Sequence, residues 1–290
     1  MANLKEVKER INSVSSTQQI TKAMKMVAAA KLRRAQEKIV QMRPYSQKLT
    51  SILNNISSGA EGVADIAYAQ ERSVANVLIV PITSDKGLCG AFNSNVIKAS
   101  NVVIQEHEGK AITVMPIGKK AMDFFKKQEY PLISEYAGLF ENITFDPIKA
   151  AAEFVMDAFV NGEYDHVVLV YNQFKNVATQ LVVKEQFLPI SKIESEGDDN
   201  KSQQDYIVEP SRDYIIEELV PNSLKIQFYK AILDSNASEH GARMTAMSKA
   251  TDNAADLLKD LKLVYNRTRQ AAITNEILEI VAGANALEGK

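Results

Sequence analysis

The C-terminal stretch from Ser223 to Leu287 has the apolar spacing of one long helix, with no proline in it. Its main apolar seam alternates steps of three and four residues, which is typical of a left-handed coiled coil. The seam consists of Met244, Met247, Thr251, Ala254, Leu258, Leu261, Tyr265, Thr268 and Ala272. This stretch therefore predicts a helix that pairs with another helix along most of its length.

Two further apolar tracks accompany this seam. One consists of Leu257, Leu261, Val264, Thr268, Ala271, Asn275, Leu278 and Ala282, and the other, near the end, of Ile273, Ile277, Ile280, Ala284 and Leu287. A helix with one partner needs one apolar stripe, whereas a helix that is apolar on all sides is surrounded. We therefore expect the tip of this helix to extend beyond its partner helix and to be enclosed by other chains.

The N-terminal stretch from Leu4 to about Ile56 has the same spacing and predicts the partner helix. The predicted seam is interrupted by the polar residues Ser15–Gln19; its apolar members are Leu4, Val7, Ile11, Val14, Ile20, Met24, Val27, Ala28, Leu32, Ala35, Ile39 and Met42. Pro44 is expected to kink this helix without ending it, because apolar residues at helical spacing continue beyond it.

The middle of the chain alternates β-rich runs with helical patterns. The predicted strands are Val74–Ile82, Ala111–Ile117, Asp165–Tyr171 and Val177–Leu188, and the predicted helices are 91–105, 119–128 and one that Asp146 caps and that ends near Val160. Such alternation predicts a mainly parallel sheet, and the short Asn172–Asn176 connection allows one antiparallel edge.

The predicted fold class is α/β: a long antiparallel coiled coil of N- and C-terminal helices with an inserted Rossmann-like, mainly parallel α/β domain. The predicted segments are residues 1–58 (first coiled-coil helix), 73–190 (α/β domain), 191–208 (acidic loop) and 209–290 (second coiled-coil helix). We expect Pro221 to separate a short helix from the long one. The capping-box spacing of Asn236 and Glu239 favours a bend or restart there.

Composition excludes several classes of protein. Hydrophobic content of 46% with 24% charged residues is that of an ordinary globular chain, and no apolar run approaches a membrane span. The N-terminus has neither the apolar core of a secretory signal nor the composition of a transit peptide. Cys89 is the one cysteine, and the three histidines form no ligand motif in the sequence. We therefore expect neither a metal nor a cofactor.

Charge is unevenly distributed although the net charge is −2. The first 48 residues contain eleven lysines and arginines against three glutamates, a local charge of +8. A basic helix of this kind is either a solvated face or the docking face for an acidic partner, such as a protein surface, a nucleic acid or anionic lipid.

The turn Ser84–Gly90 follows a predicted strand and precedes a helix, as phosphate-binding loops do. Its residue order matches neither a P-loop nor a dinucleotide-binding fingerprint, so Gly87 and Gly90 are interpreted as turn residues. Cys89 has no histidine near it in sequence and is interpreted as structural. No arrangement of residues for acid–base or metal chemistry stands out.

Four motifs closely resemble the gamma subunit of F-type rotary ATP synthases. They are Thr17–Arg33 (TQQITKAMKMVAAAKLR), Ser84–Asn93 (SDKGLCGAFN), Ala242–Ala254 (ARMTAM and ATDNA within it) and Ile273–Ala286 (ITNEILEIVAGANA). The motifs occur in the family's order over essentially the whole chain, and the two terminal ones are highly specific.

The resemblance implies a non-catalytic rotor subunit that binds no nucleotide. In that family the terminal helices form the central-stalk shaft inside a ring of three alpha and three beta subunits, and the α/β domain meets the epsilon subunit and the membrane c-ring. Proton or sodium flow turns the shaft and drives ATP synthesis, and hydrolysis drives the reverse. The resemblance places such a chain, peripherally, on the cytoplasmic face of a bacterial plasma (inner) membrane, since the transit peptide of a mitochondrial precursor is absent.

The resemblance also assigns site residues. Those implied to contact the beta subunit are Lys22, Met24, Lys25, Arg243, Gln270, Thr274 and Glu276, the first four at an acidic lever and the others at a catch loop. The tip implied to turn in an apolar collar contains Ile277, Ile280, Val281, Ala284 and Leu287. The cysteine-pair insertion of the chloroplast type is missing, which argues against thiol control.

The alternative is a nucleotide-dependent α/β enzyme with a basic helical arm for nucleic acid. It predicts a phosphate motif and aromatic side chains on the arm. Residues 1–42 contain no aromatic residue, which argues against this alternative.

Overall fold

The computed structural model describes residues 4–57, 67–190 and 212–288. The predicted acidic loop, 191–208, lies outside these residues. The chain divides into two compact units: Met1–Val27 with Met244–Lys290, and Ala28–Arg243. We call them the helix-pair unit and the sheet unit.

The sheet unit is built on four strands in the order β2-β1-β3-β4. They are β1 (Asn76–Pro81), β2 (Ala111–Val114), β3 (His166–Phe174) and β4 (Gln180–Leu188). The pairs β1–β2 and β1–β3 are parallel, whereas β3–β4 is antiparallel. The prediction of a mainly parallel sheet with one antiparallel edge is therefore confirmed, and β1 is buried on both faces as its apolar run implies.

Helices cover both faces of this sheet. Helices α2 (Phe92–Glu106) and α3 (Lys119–Phe125) bury apolar side chains against one face, and α4 (Phe145–Val160) and part of α5 bury theirs against the other. Thr144, not Asp146, is the N-cap of α4, so the predicted cap was wrong by two residues. Phe145, the first residue of α4, packs edge-to-face on Tyr229.

Gly118, just before α3, requires glycine. Its φ is +91°, and a Cβ there would lie 2.1 Å from the carbonyl oxygen of Thr83. This close approach holds the β2–α3 connection against the end of β1.

Two long helices each contribute residues to both units. Helix α1 spans Leu4–Ser57 and passes through Pro44, as predicted. Helix α5 spans Arg212–Glu288 without the predicted breaks at Pro221 and Asn236. Core packing of Val220 and Leu224 holds the turn around Pro221.

The restart predicted at Asn236 was wrong because Glu239 pairs with Arg243 one turn onward rather than capping Asn236. A Cβ at Gly241 would lie in ordinary van der Waals contact with Phe174, at 3.5 Å, so the packing there does not require glycine.

In the helix-pair unit α1 and α5 pair antiparallel. Thr251 Oγ1 donates to Thr21 Oγ1 at 2.8 Å, and Lys25 Nζ donates to Ser248 Oγ at 2.9 Å. The predicted α5 seam from Met244 to Thr268 is buried or half-buried, whereas its last member, Ala272, is exposed.

The predicted α1 seam was wrong in its middle part. Ile20, Met24 and Val27 are 54%, 40% and 57% exposed, whereas the polar Thr21 faces α5. In this part of α1 polar residues occupy the positions at three- and four-residue spacing that face α5. A prediction based on apolar residues alone therefore does not find them.

Candidate functional site

The end of α5 exposes its apolar residues on every side. Every described side chain from Arg269 to Asn285 is exposed, including Ala284. Ile277, Ile280 and Val281 are 54%, 67% and 50% exposed. The side chain of Leu287 lies outside the described residues. We call residues 269–285 the bare tip.

Helix pairing explains where the bare tip begins. The Thr21–Thr251 contact fixes the antiparallel register of the two helices. In this register, a residue seventeen positions before Thr21 on α1 is level with the residue seventeen positions after Thr251 on α5. Leu4 is therefore level with Thr268. Leu4 is the first described residue of α1. Past Thr268, therefore, no described residue of α1 is level with α5.

The predicted beta-subunit contacts on α1 lie close together on the helix-pair unit. Lys22 and Met24 are exposed. Lys25 is also exposed, but its ammonium donates to Ser248 on α5. Lys22 and Met24 therefore place a charge and an apolar side chain at the helix surface, while Lys25 also braces the helix pair.

Gln270, Thr274 and Glu276 lie on the bare tip and are exposed. Thr274 Oγ1 donates to the backbone carbonyl of Gln270 at 2.9 Å, a bond within the helix. Gln270 and Glu276 therefore offer an amide and a carboxylate at the helix surface.

Arg243 is placed differently from the other predicted contacts. It belongs to the sheet unit, is half-buried, and donates through Nη2 to the carbonyl oxygens of Lys86 at 2.9 Å and Gly87 at 3.2 Å. Through Nη1 it forms an ion pair with Glu239. Burial raises the pKa of the Glu239 carboxyl, and the Arg243 guanidinium opposes that rise. Arg243 therefore anchors the turn Ser84–Gly90 to α5.

In the turn itself, a backbone N–H that a phosphate-binding loop would offer to a phosphate, that of Ser84, is already bonded within the chain. The Asn93 side chain accepts the Ser84 backbone N–H at 2.9 Å and bonds the Ser84 hydroxyl as well. The Cys89 thiol is buried, and burial raises its pKa, which keeps it protonated and unreactive. Gly90 has φ +61°, as a turn residue, but Gly87 does not have positive φ; Leu88 does, at +63°. Leu88 is also 64% exposed.

Sequence reasoning missed two arrangements. Glu239 and the carbonyls that hold Arg243 were not foreseen, although an acid and an arginine four residues apart on a helix are a known pairing signal. His107 and His166 come into contact although 59 residues separate them. Only the order of the strands brings those two together, and no local pattern encodes it.

Among the described residues, no helix is long and apolar enough to cross a membrane. In the same part of the chain no group of three or more histidine, cysteine, aspartate or glutamate side chains could hold a metal ion.

Fold and surface together define a class of protein: a paired-helix chain with an inserted α/β sheet, whose exposed apolar residues concentrate at one helix end. The family described as ATP synthase matches residues 3–287. Similar proteins include the ATP synthase gamma chains of Cytophaga hutchinsonii, 55% identical over 99% of both chains, and Christiangramia forsetii, 56% identical over 100% of both. The chain belongs to the ATP synthase gamma-chain family.

Solved structures agree with this assignment. The chain resembles a chain of the Tetrahymena thermophila mitochondrial ATP synthase central stalk and c-ring, with a TM-score of 0.57, 26% identity, and coverage of 80% of this chain and 99% of that one. It shares the fold of a chain in the Euglena gracilis mitochondrial ATP synthase, with a TM-score of 0.66, 22% identity, and coverage of 98% and 94%.

Proposed function

We propose that this chain is the central rotor shaft of an F-type ATP synthase. In this role it performs no catalysis and binds no nucleotide. It couples proton or sodium flow, by rotation, to the synthesis or hydrolysis of ATP at catalytic sites on alpha and beta subunits, three of each. Family membership supports the proposal. The bond from the Ser84 backbone N–H to Asn93 argues against the nucleotide-binding alternative.

The bare tip is the observation that carries the proposal. Exposed isoleucine and valine side chains on all sides of one helix end are costly in water, at about 25 cal/mol per Å² of apolar surface. A collar of partner chains around the tip would remove this cost on all sides. A flat partner surface would cover only one side of the helix. Small residues such as Ala282, Gly283 and Ala284 keep the helix thin, so that it can turn inside the collar.

The exposed face at Lys22 and Met24 suits an acidic lever on the beta subunit. Contacts between exposed charges are individually worth about 0–1 kcal/mol and are screened by salt. Weak contacts of this kind break and re-form at each step of a rotation, which a buried ion pair would prevent. Gln270, Thr274 and Glu276 are proposed to meet a second beta-subunit loop near the tip.

The sheet unit is proposed to dock on the epsilon subunit and the c-ring. In that position the chain is a peripheral protein on the cytoplasmic face of a bacterial inner membrane. The neighbouring structures contain a c-ring together with a chain of this fold, which supports the placement.

Assembly tests the proposed role directly. Mixing the purified chain with matching alpha and beta subunits should give a complex with six large subunits per copy of this chain, measured by native mass spectrometry. A chain that remains alone under these conditions, while binding RNA or ATP tightly, would overturn the proposal.

Met24→Lys tests the lever contact. The added charge beside an acidic lever strengthens a contact that must release, so proton pumping per ATP hydrolysed should fall while assembly persists. Met26→Lys is a matched control, because Met26 is also exposed, at 62%, and lies two residues away on another face of α1. Equal coupling in the Met24→Lys and wild-type complexes would contradict the contact.

A further inference from the structure

Helix α5 is held in the sheet unit by apolar packing and by polar contacts. Leu224 and Phe228 are buried in the core, and Phe228 packs edge-to-face on Phe187 of β4, with ring centroids 5.6 Å apart. Hydrophobic attraction is non-directional, whereas a hydrogen bond weakens steeply when its angle changes. The polar contacts are therefore the ones that respond most sharply to a rotation of α5 about its own axis.

Gln227 connects α5 to β4 on one flank of the helix. Its amide nitrogen donates to Glu185 Oε1 at 2.6 Å. The other oxygen of this carboxylate accepts from the hydroxyl of Tyr171, also at 2.6 Å, and Tyr171 is 2% exposed. Burial and the nearby Glu185 charge raise the pKa of Tyr171, so the phenol keeps the proton that it donates. Glu185 is therefore held from β3 as well as from α5.

Lys225 connects α5 to α4 on another flank. Its ammonium lies 2.7 Å from Glu153 Oε1, and the Lys225 side chain is 15% exposed. The hydrogen bond from Lys225 lowers the pKa of the Glu153 carboxyl, which favours the charged pair. Lys149, one turn earlier on α4, lies 3.7 Å from the same oxygen. The Lys149 contact stays within α4, whereas the Lys225 contact joins two helices.

The two flank contacts, Lys225–Glu153 and Gln227–Glu185, lie on nearly opposite sides of α5. Two residues along a helix correspond to about 200° of rotation, or about 160° the shorter way round, and to about 3 Å along the axis. A helix attached on one side can swing about that attachment. A helix attached on opposite sides at one level can neither rotate nor shift sideways without distorting one of the contacts.

Two buried serines add bonds farther along α5. The Ser235 hydroxyl donates to the carbonyl oxygen of Ile82 at 3.4 Å, and the Ser238 hydroxyl donates to that of Asn172 at 2.9 Å. A hydroxyl turns about its C–O bond to suit its acceptor, so these bonds tolerate a modest rotation of the helix. The flank contacts are therefore better placed to fix the angle of α5.

We propose that the two flank contacts fix the angle of α5 about its axis and thereby pass torque between the sheet unit's α4 and β4 and this helix. The torque role rests on the proposed function as a rotor shaft. A hydrogen bond keeps its geometry over about 0.5 Å, which at about 5–6 Å from the helix axis corresponds to a rotation of about 5°. A larger rotation breaks a flank contact.

Spin labels on the isolated full chain test whether these contacts fix the helix angle. The labels are placed at Asp157→Cys on α4 and Lys230→Cys on α5, both exposed positions, with Cys89→Ser to remove the native thiol. Double electron–electron resonance measures the distribution of distances between the labels. This distribution should be wider in the flank variant, Lys225→Met/Gln227→Leu, than in the otherwise wild-type chain.

Lys149→Met/Gln186→Leu is the matched control. It makes the same two substitutions at side chains whose contacts do not involve α5: Lys149 with Glu153, and Gln186 with the carbonyl oxygen of Pro189 at 2.7 Å. It should keep the width of the otherwise wild-type chain. Circular dichroism checks folding. In the flank variant each carboxylate keeps one partner, Lys149 or Tyr171, so we expect it to fold; where it does not, its two single variants replace it.

Rotation of the assembled complex tests the torque role. With alpha and beta subunits fixed to a surface, a bead attached at Asp157→Cys reports the angle of the sheet unit at each pause of ATP-driven rotation. The spread of these angles should be wider by more than about 5° in the flank variant than in the control. ATP hydrolysis without the bead should be the same in both, a combination that general destabilisation would not produce.

The outcomes separate this proposal from the proposed function. Equal label distributions in the flank variant and the control would overturn the role of the flank contacts. A wider label distribution without any change in the bead angles would overturn the torque role. A wild-type complex that neither forms nor rotates would contradict the proposed function and the torque role with it, while the label distances would still decide whether the flank contacts fix the angle of α5.

Discussion

At the scale of single residues, Arg243 illustrates how a residue predicted to contact a partner can have a structural role within its own chain. Its guanidinium binds two turn carbonyls and the Glu239 carboxylate within its own unit. Removing one partner of a buried pair leaves the other charge uncompensated, which costs about 3–5 kcal/mol. A loss of coupling in an Arg243 variant would therefore reflect the turn Ser84–Gly90 as well as any contact with a partner.

His240, beside Arg243, predicts a loss of stability in acid. Burial and the nearby Arg243 lower the pKa of His240 from 6.5 to about 4. The unfolded chain therefore binds more protons than the folded one between pH 6.5 and 4, and stability falls as pH falls through that window, by up to about 3 kcal/mol. His240→Gln keeps a hydrogen-bond acceptor for Arg243 but does not titrate.

Urea unfolding at pH 7.5 and pH 4.5 measures this effect. Between the two pH values, the wild type should lose more free energy of unfolding than His240→Gln does. At pH 7.5 the two proteins should have similar free energies of unfolding. Glu239 contributes with the opposite sign, because its raised pKa favours the folded state at low pH, and it is present in both proteins. Identical losses in wild type and variant would contradict the assignment.

At the scale of elements, much of the fold could be predicted from the sequence. The apolar run of β1 and the short connection between β3 and β4 indicated a mainly parallel sheet with one antiparallel edge, because those signals are local. The breaks expected at Pro221 and Asn236 did not occur, since packing against the sheet unit outweighed local signals. The middle of the α1 seam was misassigned because polar residues such as Thr21 occupy it.

The candidate site also has parts that the sequence predicts and parts that it does not. The bare tip was foreseen, because three apolar tracks on one helix are visible in the sequence. The His107–His166 contact was not, because it depends on where β3 starts relative to the end of α2. Contacts that depend on tertiary order have no signal in local spacing.

The polar layer Thr21–Thr251 predicts a measurable coupling between the two helices. Thr251 Oγ1 lies 2.8 Å both from Thr21 Oγ1 and from the Met247 carbonyl oxygen, and Thr21 Oγ1 lies 3.0 Å from the Gln18 carbonyl oxygen. Replacing both threonines by valine exchanges a satisfied polar pair for an apolar one of the same shape, which is nearly neutral or stabilising. Each single change leaves one hydroxyl facing a methyl group.

A double-mutant cycle with Thr21→Val and Thr251→Val tests this layer. Each single variant should lose about 1 kcal/mol of unfolding free energy, and the double variant should be nearly neutral, giving a coupling of about 2 kcal/mol. Ser94→Ala is a control, because that hydroxyl bonds only its own helix turn in the described contacts and lies in the sheet unit. Strict additivity would mean that the two hydroxyls do not interact.

At the scale of the whole molecule, the chain covers one part of α5 by itself and leaves the other part exposed. Leu261, in the seam, is 9% exposed, whereas Ile280, in the bare tip, is 67% exposed. The two residues are similar in size and lie on the same helix, so they differ chiefly in what covers them. Substitution by aspartate therefore separates folding of the chain from assembly of the complex.

Leu261→Asp should destabilise the isolated chain by several kcal/mol, because it places a charge in the seam between α1 and α5. Ile280→Asp should leave the isolated chain within about 0.5 kcal/mol of wild type, because the position is exposed, yet it should reduce assembly with alpha and beta subunits. Thermal unfolding of the chain alone and native mass spectrometry of the mixture measure the two effects. Normal assembly by Ile280→Asp would mean that no apolar collar encloses the tip, and a lowered melting temperature of that isolated variant would mean that the chain itself covers it.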